Sequence, residues 1–156
     1  MAASRFDLPA VYAAMVSKAQ EIITAVKSSG ISPNIAYMAW DSRGEVNELP
    51  NQDLLGVVDW TWTENDDHLP DIEFALLLSV VHDANLFREV EILNEIRKVC
   101  VHESRPEYKV WTVKDSDNEP FAQLQVTDFS IMPAGESEAR TVRTVGISLK
   151  RADYAK

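Results

Sequence analysis

Three histidines stand beside carboxylates: His68 follows Asp66 and Asp67, His82 precedes Asp83, and His102 precedes Glu103. An imidazole against a carboxylate can shuttle a proton or hold a metal. Each of these pairs, however, is made of sequence neighbours at the end of an element, where side chains point apart. Solvated or capping histidines are the simpler reading. A pocket chemistry would need convergent polar groups, and Asp59, His82 and Asp128, on separate segments, are the candidates for it. Cys100, the single cysteine, falls on the apolar side of a helical pattern and reads as a buried thiol rather than a nucleophile. It excludes an intrachain disulfide and fits a reducing compartment. The five glycines are scattered, no two within five residues, so no glycine-rich loop brings backbone amides up to a phosphate. HExxH, CxxC and GxSxG do not occur. The sequence therefore offers no catalytic residue, no cofactor site and no metal site.

The four tryptophans raise a different chemistry. Trp60 and Trp62 share a strand face, as bases stacked along a single strand would require. Yet no Lys or Arg lies between Arg43 and Arg88, and a stacking platform without cations holds nucleic acid poorly. Core packing or a protein–protein anchor is the better reading for both. Trp111 alternates with Val110 and Thr112, which predicts an exposed or interface aromatic on that strand.

Charge points the same way. The chain of 156 residues carries a net charge of −10. Between Asp41 and Glu73 ten acidic residues face Arg43 alone. Such a surface repels phosphate backbones, so binding of free nucleic acid is not expected. Its plainest role is solubility; its functional one is to stay non-adhesive to passing DNA or to meet a basic partner.

The elements that position these residues can be read from periodicity. Asp7-Leu8-Pro9 reads as a cap and first turn. Leu8, Val11, Tyr12, Met15, Ala19, Ile22, Ile23 and Val26 form one helical stripe, and Ser28-Ser29-Gly30 ends it. A short strand, Ile35–Trp40, leads into a long polar arm at 41–53. Val58, Trp60 and Trp62 alternate with polar residues, and Ile72 to Val80 alternate again, which predicts an antiparallel hairpin with an acidic tip. Asp83-Ala84-Asn85 caps a second helix to about Val101, with its stripe at Leu86, Phe87, Val90, Leu93, Ile96, Arg97 and Cys100. Next come strands at Tyr108–Val113, Phe121–Ile131 and Arg140–Lys150, then a polar tail at 151–156. The expectation is a single α+β domain in two layers. A mostly antiparallel sheet of five or six strands carries two helices on one face, in the order α-β-β-β-α-β-β-β. The N-terminus lacks the apolar core of a signal peptide, and the longest apolar run, Phe74–Leu78 resuming at Val80, is far short of a bilayer span.

In this layout, over almost the whole chain, the sequence resembles the tail terminator proteins of long-tailed bacteriophages, and more loosely their neck and tail-completion subunits. The resemblance rests on the helix opening at Asp7-Leu8-Pro9, the polar arm, the hairpin of 57–63 and 71–81, the capped helix and the final hairpin. It implies a non-enzymatic virion protein made in the host cytoplasm. Such a subunit forms a ring, typically of six copies, that caps the head-proximal end of the tail tube, stops its growth and joins the head connector. The implied partners are other copies of the chain, the tail tube protein, the connector or neck protein, and the sheath protein where the tail contracts. DNA would pass through the ring without being bound, and no membrane is involved. Under this reading the interface candidates are Trp60, Trp62, Glu64, Asp66, Asp67, Asp71, Trp111, Arg140 and Arg143. The alternatives are a small ligand-binding or enzymatic α+β domain, or a secretion- or toxin-system adaptor.

Overall fold

The computed structural model describes residues 6–37, 52–64, 69–81, 87–114, 117–136 and 140–152. Helix α1 (Leu8–Ser28) begins where the sequence predicts: the Asp7 carboxylate accepts the Ala10 amide at 3.0 Å, with Pro9 in the first turn. Its end is a Schellman motif. Gly30 adopts φ +77°, its N–H donates to Lys27 O at 3.1 Å, and Ile31 N–H reaches back to Val26 O at 3.2 Å.

Among the described residues seven strands form one sheet: β1 (Ala36–Tyr37), β2 (Leu54–Thr63), β3 (Asp71–Val81), β4 (Val110–Lys114), β5 (Pro120–Ile131), β6 (Gly135–Glu136) and β7 (Arg140–Arg151), with α2 (Phe87–Lys98) between β3 and β4. The order is β1-β2-β3-β7-β5-β4, with β6 on β7. All pairings are antiparallel except β1 with β2. The fold is α+β, as expected, with a mixed sheet. Helix α1 packs against β2 and β4, near opposite ends of that order. The sheet therefore curls into a half-barrel around the helix, and its concave face holds the core. Met15, Ile22, Leu55, Leu76, Ile96, Leu124 and Ile147 belong to that core. No helix among the described residues is long and apolar enough to cross a membrane.

Three expectations need correction. First, Leu8 and Tyr12, counted in the buried stripe of α1, are each 42 % exposed, because the first turns of the helix overhang the open side of the hairpin. Second, α2 is rotated. It buries Ile92, Leu93 and Ile96, while Phe87 and Val90, assigned to its apolar face, are exposed, as is Arg97. The cause is a pair of inward ionic contacts one turn earlier, Arg88 with Asp53 and Glu89 with Arg143. They fix the helix rotation through residues 88, 89, 92, 93 and 96. Third, Asp53 closes the polar arm in sequence but is buried. Residues 41–51 of the arm, with the strand predicted over Met38–Trp40 and the cap at Asp83–Asn85, lie outside the described residues.

Candidate functional site

The β2–β3 hairpin gathers most of the interface candidates. A bulge between Val57 and Asp59 shifts the alternation of β2, so that Val57 pairs Leu76 while Trp60 pairs Phe74 and Trp62 pairs Ile72. A bulge inserts one extra residue and re-aims the side chains beyond it. Here it puts both tryptophans on the concave face, past the end of the main core. Trp62 is half-buried against Phe6, with ring centroids 5.9 Å apart, and its indole N–H donates to Glu64 Oε1 at 2.9 Å. Trp60 is 45 % exposed. With Leu8, Pro9, Tyr12 and Phe74 the two rings line an apolar groove of about 300 Å³. Asp71 is exposed, 3.6 Å from Lys150. Asp66, Asp67 and His68, which the sequence assigns to the hairpin tip, lie outside the described residues, as does His82.

Among the described residues the outer edge of β2 is covered over its first part. Strand β1 pairs with Leu54 and Leu55, and the Tyr37 hydroxyl accepts the Val57 amide at 3.5 Å. Burial raises the pKa of that hydroxyl; the Val57 hydrogen bond opposes the rise, and neighbouring Tyr12 adds to it. Further along, the Trp60 amide is held by its own neighbour, Asp59 Oδ1, at 2.9 Å. From Val58 to Thr63 no strand among the described residues pairs with this edge.

On the convex face Asp59 of β2 and Asp128 of β5 line opposite sides of one groove, with β3 and β7 between them. A second bulge, between Val126 and Asp128, turns Asp128 toward Ser148. The two aspartates share a groove of about 350 Å³ with Glu73 and Ser130. Its floor is low because Gly146 lies there: a Cβ at that position would stand 3.1 Å from Ser130 Oγ. Among the described residues no group of three or more His, Cys, Asp or Glu side chains is placed to hold a metal. The arrangement is an acidic, hydroxyl-lined surface, which repels phosphate.

Three interface candidates are used inside the molecule instead. Trp111 is 1 % exposed, donates its indole N–H to Val99 O at 2.7 Å, and has Lys18 Nζ 5.8 Å from its ring centroid. The curl of the sheet turns that face of β4 inward, and the exposed side belongs to Tyr108 and Val110. Arg140 is buried and donates to Ser79 Oγ at 3.2 Å. Arg143 holds Glu89 and the Met132 carbonyl. The sequence reading missed the exposure of Leu8 and Tyr12. The only signal for it was their place in the first helical turns, where a stripe can run past the sheet it packs on.

Cys100 is buried, and desolvation pushes its thiol up to about 12 against the weaker opposing pull of Lys18 and Lys109. Thiolate is the reactive form, so the native protein should resist a disulfide exchange reagent at pH 8 and react fully once unfolded in urea. Stoichiometric labelling of the native chain within minutes would contradict this burial. Because the folded thiol keeps its proton to higher pH than the unfolded one, this group lowers stability as pH rises above about 9.

No family model matches the chain, and no curated protein matches it. Solved structures do match. One of them covers 88 % of this chain and 98 % of its own length, at 10 % identity and a TM-score of 0.47. A likeness at that level bears on neither family nor function.

Proposed function

We propose that this chain is a structural subunit of the tail-terminator type. Copies close into a ring, six by the resemblance, on the last ring of a tail tube. The ring stops tube growth and offers a surface to the head connector or neck protein, and to the sheath where there is one. The supporting observation is the margin of the sheet at β2, where Trp60, Leu8 and Tyr12 stand exposed around one groove. Large exposed apolar side chains gathered around one groove are a surface that proteins normally cover, and assembly covers it. A closed ring built from head-to-tail contacts needs two unlike patches on each subunit. The acidic convex face and hairpin suit a ring through which DNA passes without adhering, because like charges repel in a narrow passage. The protein then belongs to the virion tail or neck after synthesis in the host cytoplasm.

A ligand-binding α+β domain is the second reading, favoured by the polar groove of the convex face, which Asp59, Glu73 and Asp128 line. Light scattering across a concentration series, with negative-stain images, separates the two. The expected species has a mass near six times 17.5 kDa and appears as rings. A stable dimer would favour the ligand-binding or adaptor reading. A monomer at every concentration, which purified tail tubes also fail to assemble, would overturn the ring.

A further inference from the structure

We draw no further inference here: the strongest candidate, the apolar groove between the first turns of α1 and the β2–β3 hairpin, lined by Leu8, Tyr12, Trp60 and Phe74, is an apolar surface for which nothing in the structure shows what covers it.

Discussion

Replacing Asp53 by alanine is expected to destabilise the fold by about 3–5 kcal/mol, the usual cost of removing one partner from a buried ion pair. The carboxylate is 4 % exposed and serves four segments at once. Its Oδ2 accepts the Ser32 hydroxyl at 2.6 Å and Arg88 Nε at 3.0 Å; its Oδ1 accepts the Val81 amide at 2.9 Å and Arg88 Nη2 at 3.3 Å. The same Arg88 nitrogen donates to Val81 O at 2.7 Å. Without the carboxylate, the Ser32 hydroxyl and the Val81 amide lose this acceptor, and the Arg88 guanidinium loses this counter-charge. The loop before β1, the start of β2, the end of β3 and the first turn of α2 lose their common tie. For a chain of this length each kcal/mol shifts the midpoint by roughly 2–4 °C, so a fall of about 10 °C in thermal unfolding is the expected reading. Asp53→Asn keeps the shape but not the charge and should fall between. A midpoint within about 2 °C of the parent for Asp53→Ala, less than one kcal/mol on that scale, would show that the cluster carries no stability.

Asp53 also marks the limit of what the sequence can reveal. Helix α1, its caps, the long hairpin and the three later strands were legible because each is governed by local rules. Period, capping chemistry and glycine position act within a few residues, and Asp7, Pro9 and Gly30 obey them. The burial of Asp53 depends on Arg88, thirty-five positions away, and no local rule reports such a pair. The rotation of α2 is hidden for the same reason. Phe87 and Val90 fit an apolar stripe by spacing, but Arg88 and Glu89 have partners inside the molecule, and ionic anchoring outweighs two moderate apolar faces. The two bulges are a third case. A one-residue slip exchanges the faces of a strand, and nothing in Val57-Val58-Asp59 or Val126-Thr127-Asp128 announces it. Those slips put the tryptophans at the apolar groove and both aspartates on the lining of the convex one. Of the candidate site, the acidic character and the weight of Trp60 were readable. Its partners on α1 were not.

Trp111 supplies the second large effect, and it separates the two kinds of tryptophan in this chain. Truncation to alanine removes a fully buried ring and should cost about 3–5 kcal/mol in urea unfolding, the range for large-to-small changes of aromatic core residues. Trp111→Phe is the more informative change. Most of the apolar volume stays, but the Val99 carbonyl, where α2 leads out toward β4, loses its indole donor. An acceptor left unsatisfied in the interior costs about 1–3 kcal/mol, and Lys18 loses the stronger cation–π face at the same time. This variant should be less stable yet unchanged in association state, because the ring is 1 % exposed and offers nothing to a neighbour. Trp60→Ala should behave in the opposite way, with nearly parental unfolding and altered association, since its ring is 45 % exposed. Measuring both quantities for both variants tests burial against sequence pattern directly. Loss of assembly in Trp111→Phe at parental stability would return Trp111 to the surface, where the alternation of β4 alone had placed it, and would undo the curl of the sheet that turns it inward.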